Sequence, residues 1–169
     1  MNVREATIAD ARKIAQIHVD GWRAAYRGQM PDEILDNLNM EKRAAFWSTH
    51  LTTHPHALFV AEINQEILGF CDSIPSRDKD ADPETTAEIV AIYVDPNHWR
   101  KGAGRALCRS VLETARHVKL AEITLWCLSS NVAARRFYEK MGFHLDGATR
   151  VDQSFSNHEL HEVRFRIFL

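Results

Sequence analysis

The sequence predicts an α/β domain with a mixed sheet of about seven strands flanked by helices. Three observations predict it. A strand–helix–strand unit over residues 87–128 implies two parallel neighbours, because that crossover joins parallel strands. Short β-type runs elsewhere supply the remaining strands. Apolar residues recur at helical spacing between them. With 169 residues, 45% hydrophobic and 26% charged, the chain can bury one core without a disulfide or metal staple, so residues 1–169 are expected to form a single domain.

The elements follow in order. Val3-Arg4-Glu5-Ala6 is a short strand candidate. Thr7 with Asp10 three residues on resembles a capping box ahead of a helix. Ile8, Ala11, Ile14, Ala15, His18 and Trp22 then fall on one helical face. Pro31 starts a second helix and residues 41–51 form a third. Residues 57–63 and 66–74 are strands joined at Asn64-Gln65, a hairpin signal. The polar, acidic stretch 75–86 is a loop. Residues 87–94 are apolar nearly throughout, as expected of a strand buried on both faces, and Pro96 ends it. In the helix at 102–119, Leu107, Val111, Leu112 and Ala115 face inward. Another buried strand spans 121–128. A helix follows at 131–141, with Gly142 as its C-terminal cap. Strands at 143–148 and 160–169 complete the sheet.

A net charge of −2 with neutral histidines gives no general attraction to nucleic acid or an anionic membrane. No apolar run reaches the length of a membrane span, and Met1-Asn2-Val3-Arg4-Glu5 lacks the basic-then-apolar layout of a signal peptide. A cytoplasmic location is expected. Cys71, Cys108 and Cys127 are odd in number and lie in apolar runs, so they read as small core residues. His50, His54 and His56 sit around Pro55 in an expected loop with no carboxylate or cysteine set nearby, and no metal is expected.

Gly102-Ala103-Gly104 follows a strand and opens a helix. The first N–H groups of a helix have no partner inside it and carry partial positive charge, which favours a phosphate there. Glycine lets oxygen atoms approach the backbone. Arg100, Lys101 and Arg105 add full charges around the turn. An anion site is therefore expected; the plainer reading is a tight connection with a solvated basic face. A Walker A loop is absent, and a dinucleotide fingerprint would need Gly or Ala where Leu107 stands.

Tyr93-Val94-Asp95-Pro96 leading into Arg100-Lys101-Gly102-Ala103-Gly104 resembles motif A of the GCN5-related N-acetyltransferases, the GNAT family. Leu125-Trp126, Asn131 and the run from Ala134 to Phe143 resemble its motif B. Trp99 stands where the family has Gln or Arg. The resemblance implies a sheet splayed at its centre, between the strands ending at Val94 and Leu128, with acetyl-CoA in the slot as acetyl donor. It implies that the backbone of Ile92, Tyr93 and Val94 pairs with the pantetheine arm. It also implies that Arg100, Lys101, Gly102, Ala103, Gly104 and Arg105 hold the pyrophosphate. Asn131, a natural N-cap, would contact the arm as well. The Val94 N–H would face the thioester oxygen, and Tyr138 would lie near the cofactor sulfur as the acid.

Acetyl transfer to an amine sets three tasks. The amine, with a lysine-type pKa of roughly 10.4, must lose a proton. The oxygen that gains charge needs a hydrogen-bond donor, and the departing thiolate benefits from an acid. Tyr138 is the acid candidate; its plainer reading is a half-buried aromatic. Glu88, an acid early in an apolar strand, is the base candidate; its plainer reading is a strand-end charge reaching solvent. His98 and Glu122 are weaker options. Trp22 and Tyr26 are candidates to line the acceptor site, against simple helix packing. The acidic loop at 77–84 either attracts a cationic amine or is merely solvated. The expected function is N-acetyl transfer to a primary amine, on a small molecule or a peptide or protein, by direct attack. The alternative is a non-catalytic acyl-CoA-binding or regulatory module. Neither nucleic acid nor a membrane is an expected partner, and a homodimer is left open.

Overall fold

The computed structural model describes residues 1–54, 56–153 and 159–169. Its elements in chain order are β1 (Asn2–Glu5), α1 (Ala11–Tyr26), α2 (Asp32–Asp36), α3 (Met40–Thr53), β2 (Leu58–Ile63), β3 (Glu66–Pro75) and β4 (Thr86–Val94), then α4 (Ala103–His117), β5 (Glu122–Leu128), α5 (Val132–Lys140), β6 (His144–Asp152) and β7 (Leu160–Phe168). The seven strands form one sheet in the order β1-β2-β3-β4-β5-β7-β6. Only β4 and β5 pair in parallel, with α4 as their crossover; every other neighbour is antiparallel.

Local signals explain most boundaries. Asn64 and Gln65 take φ of 50° and 67°, the left-handed pair that a tight hairpin requires. The Asp10 carboxylate accepts the Thr7 N–H at 2.8 Å and holds the entry to α1. Ile8, expected on the inner face of that helix, is 59% exposed. It lies in a 3-10 turn, Ile8–Asp10, whose tighter winding takes it off the α-helical stripe. β6 runs on to Asp152, beyond the expected end at 148. Gly147, at φ 90°, accommodates a bulge between Leu145 and Thr149, after which pairing with β7 resumes.

Helices cover both faces. On one, Leu107, Cys108, Val111 and Leu112 of α4 pack on Cys71, Ala87, Ile89, Ile123, Leu125 and Phe165. On the other, Ile14 and Ala15 of α1 and Trp47 of α3 pack on Leu58, Val60, Phe70 and Ala91. All three cysteines are buried and free.

The sheet parts at its centre. β4 and β5 pair from Thr86 with Glu122 to Ile89 with Leu125, and no further. There β4 carries one surplus residue, Val90: Ser73 of β3 pairs with Ile89, and Asp72 pairs with Ala91. A bulge of this kind bends its strand and increases its twist. Beyond it β4 stays paired to β3 as far as Val94, and β5 stays paired to β7 as far as Leu128. Each strand is left with one unpaired backbone edge facing the gap. The strand expected to be buried on both faces is therefore only partly covered at Ile92, Tyr93 and Val94.

Candidate active site

A cleft of about 790 Å³ fills the gap. One end is the start of α4. The first bond inside that helix runs from the Ala106 N–H to the Gly102 carbonyl at 3.0 Å, which leaves the N–H groups of Ala103, Gly104 and Arg105 without helical partners. Gly102 sits at φ 95°, and Arg100 is also left-handed at φ 61°. Alternating turns of this kind aim successive N–H groups into a concavity suited to an anion. Arg100 and Arg105 line the cleft. The Trp99 indole N–H donates to the Val94 carbonyl at 2.7 Å.

The middle of the cleft is the free edge of β4 from Val90 to Val94. Across it lie Asn131 and Tyr138. Asn131 caps α5 by accepting the Ala134 N–H at 3.1 Å. Tyr138 is wedged among Phe137, Phe143 and Phe165, with ring centroids 5.4–6.1 Å apart. Burial pushes its phenol well above the ordinary tyrosine range, so it stays protonated. Among the described residues its hydroxyl makes no hydrogen bond, so its proton is uncommitted.

A second chamber of about 200 Å³ adjoins the cleft. The two share Tyr26, Ile89, Val90, Tyr93 and Trp126 as a common wall. Tyr26 and Tyr93 hold each other through their hydroxyls at 3.3 Å, and burial raises both phenols. His18 stacks behind Tyr93 at 4.9 Å. α1 approaches this closely because Gly21 has no Cβ; one built there would lie 3.2 Å from the Tyr93 ring.

Glu88 and Trp22 line the chamber rather than the cleft. Glu88 is only 2% exposed, so it is not a strand-end charge in solvent. Arg77 grips both of its oxygens, Nε to Oε2 at 3.0 Å and Nη2 to Oε1 at 2.6 Å. Two guanidiniums approach the Trp126 ring, Arg150 at 4.3 Å and Arg164 at 5.5 Å from its centroid. Its indole N–H donates to Asp78 at 3.0 Å.

A model of the acetyltransferase (GNAT) family matches residues 12–143. The chain belongs to the GNAT acetyltransferase family. Two relatives show how far the likeness extends. "Probable N-acetyltransferase Rv2775" of Mycobacterium tuberculosis is 29% identical over 170 residues, covering 99% of this chain and 94% of its own. The N-acetyltransferase YuaI of Bacillus subtilis is 30% identical, over 78% of this chain and 73% of its own. Solved structures share the fold. YncA from Salmonella typhimurium, solved with acetyl-CoA, superposes with a TM-score of 0.75 at 23% identity, covering 100% of this chain and 94% of that one. The PaiA N-acetyltransferase of Thermoplasma acidophilum, solved with coenzyme A, does so with a TM-score of 0.75 at 17% identity, over 99% and 98% of the two chains.

This GNAT chain brings most of its motif residues together. Ile92, Tyr93, Val94, Arg100, Gly102, Ala103, Gly104, Arg105, Asn131, Tyr138 and Tyr26 line the cleft, whereas Lys101 is exposed beside it. His98 also lies in the cleft, 3.7 Å from Asp95. Glu122 sits at the paired end of β4 and β5, accepting the Thr86 hydroxyl and pairing with Arg166, each at 3.1 Å. The acidic loop is largely exposed to solvent, Asp80, Asp82 and Glu84 included, but two of its acids are anchored. Asp78 and Asp80 both clamp onto buried Arg164, at 3.1 and 2.6 Å, and that pairing holds Asp80 down at about 2. His50 lies within α3 rather than a loop and meets Asp72 at 3.0 Å, while His56 meets Glu5. Pro55, around which a histidine loop was expected, lies outside the described residues. Among the described residues no group of three or more His, Cys, Asp or Glu is placed to hold a metal ion, and no helix is long and apolar enough to cross a membrane. Sequence reasoning missed Arg77, Arg150 and Arg164, and the bulge at Val90.

Proposed function

We propose that this protein transfers the acetyl group of acetyl-CoA to a primary amine by direct attack. The observation that carries the proposal is the parting of β4 from β5 beside a bare helix start, with Tyr138 facing the same cleft. The lining fits coenzyme A. The N–H groups of Ala103, Gly104 and Arg105, with the charges of Arg100, Lys101 and Arg105, suit a pyrophosphate. The edge from Val90 to Val94, including Ile92 and Tyr93 and apart from the Val94 carbonyl that Trp99 holds, offers backbone partners to an extended amide-bearing arm, and Asn131 faces it. When bound, acetyl-CoA supplies a thioester carbonyl carbon open to attack.

The chain's own residues then move protons. Tyr138, kept neutral by burial, donates its phenolic proton to the leaving sulfur. Glu88 takes the proton of the incoming ammonium, from the chamber side of the wall. Arg77 fixes the orientation of that carboxylate. Trp22 and Tyr26 line the acceptor's way in.

The test is Tyr138→Phe. Coenzyme A affinity by calorimetry should hold, while kcat for thiol release across an amine panel falls by roughly 10²–10⁴-fold. An unchanged kcat removes Tyr138 from the mechanism. Tight acetyl-CoA binding with no turnover on any amine would make the protein a binding module instead.

A further inference from the structure

We infer that the acceptor is a small primary amine that itself carries an anionic group, a free amino acid being the simplest case. The inference rests on the acetyl transfer proposed above and concerns the chamber on the far side of the shared wall.

Size comes first. The chamber encloses about 200 Å³, below the roughly 300–1,000 Å³ of sites that take drug-sized ligands. Its polarity is unusual for so small a space, because two arginines line it, Arg77 and Arg150. Arg77 commits Nε and Nη2 to Glu88, and its Nη1 makes no hydrogen bond among the described residues. Arg150 commits Nε to Glu162 at 2.6 Å and sets its guanidinium carbon over the Trp126 ring, 4.3 Å from the centroid. Its two Nη groups make no hydrogen bond among the described residues. Face and Nε are thus fixed while the Nη edge stays free. An arginine held this way presents a preformed fork for an anionic oxygen pair.

The opposite charges are arranged differently. Glu88 lies on the β4 wall shared with the cleft and Glu162 is largely enclosed, each already engaged by a guanidinium, and Asp152 also lines the chamber. A polyamine or a lysine-rich tail would meet two arginines, which already hold two of the three lining carboxylates. A molecule with an ammonium at one end and an anion at the other satisfies both ends: its amine faces Glu88 and the wall, and its anion takes the free guanidinium edges.

The test uses amines of one skeleton and similar amine pKa, bearing a carboxylate, a carboxamide or hydrogen at the far end, with spermidine and a lysine peptide alongside. The carboxylate form should be turned over with kcat/KM about tenfold or more above the other two, mostly through KM. Arg150→Met should shrink that ratio to about twofold, and Arg150→Lys, which keeps charge but loses the fork, should recover only part of it. A wild-type ratio near one, or a preference for spermidine or the peptide, overturns the inference and leaves acetyl transfer standing. Acetyl-CoA binding without turnover of any amine overturns both.

Discussion

The cleft and the chamber meet at one wall but are built by different means. The cleft is largely a backbone structure: a free strand edge, a helix start and a capped second helix, all between Ile89 and Tyr138 apart from the α1 side. The chamber is a side-chain structure, assembled from α1, β4, β5, β6, β7 and the loop after β3, and held by ion pairs. Backbone partners suit a ligand whose amides repeat; side chains suit one whose shape must be distinguished from its relatives. Substitutions should therefore separate the two.

The largest separation is expected from Arg164→Met. Arg164 is 4% exposed and holds Asp78, Asp80 and Asp146 together. Its loss leaves the largely buried Asp78 without its cation and Asp146 with Arg166 alone, which should lower stability in urea by about 3 kcal/mol. Coenzyme A affinity of the folded fraction should stay within about twofold, because Arg164 touches the cleft lining only through Trp126 on the shared wall, away from the helix start and the β4 edge. An equal collapse of coenzyme A binding would break the distinction.

The wall itself is expected to be acid-sensitive. Burial, with help from the charge of Arg43, pushes His18 down to about 3 from its ordinary 6.5. Above pH 6.5 both the folded and unfolded chains hold it neutral, and it adds no pH dependence. As pH falls from 6.5 towards 3, the unfolded chain gains a proton that the fold refuses, so stability drops, by about 2 kcal/mol at pH 5. Denaturation midpoints of the wild type and His18→Asn, compared at pH 7 and pH 5, should show this slope only in the wild type. Parallel slopes would clear His18.

Gly102→Val should cost about 1–2 kcal/mol, since its φ of 95° is hostile to a branched side chain. A Cβ there meets nothing within 4 Å, so the effect is conformational rather than a clash. Gly102→Asn should then be milder, because asparagine tolerates the left-handed region. Coenzyme A affinity should fall in the same order, while acceptor KM stays level. The smallest effect is expected from Asn131→Ala, about 1 kcal/mol from loss of the α5 cap.

The same division decided what could be read from the residues. The glycine turn, the Asn131 cap and Tyr138 lie in contiguous runs whose local chemistry declares itself. The seven strands were visible too, since apolar runs and turn residues mark them. The chamber was not, because its pairs join distant segments: Arg164 meets Asp80 across 84 positions, and Trp126 meets Asp78 across 48. No local pattern links such residues. The anchoring of the acidic loop was hidden because its partner arginine is Arg164, far along the chain. β6 was cut short because Thr149, Arg150 and Asp152 show no apolar alternation. The bulge left no mark, since Ala87-Glu88-Ile89-Val90-Ala91-Ile92 contains neither glycine nor proline.

That unmarked residue has a consequence for handedness along β4. In an unbroken strand, side chains alternate, and Glu88 would share its side with Val90 and Ile92. Inserting Val90 resets the parity: Ala91 and Tyr93 turn toward α1, with Glu88, while Ile92 and Val94 join Ile89 on the α4 side. One added amino acid thus acts as a gear change, delivering an acid and a phenol from the same strand to the same compartment. Were the strand regular through Val90, with that residue taking an ordinary place in the ladder, every later position would shift by one step and Tyr93 would lie in the opposite layer.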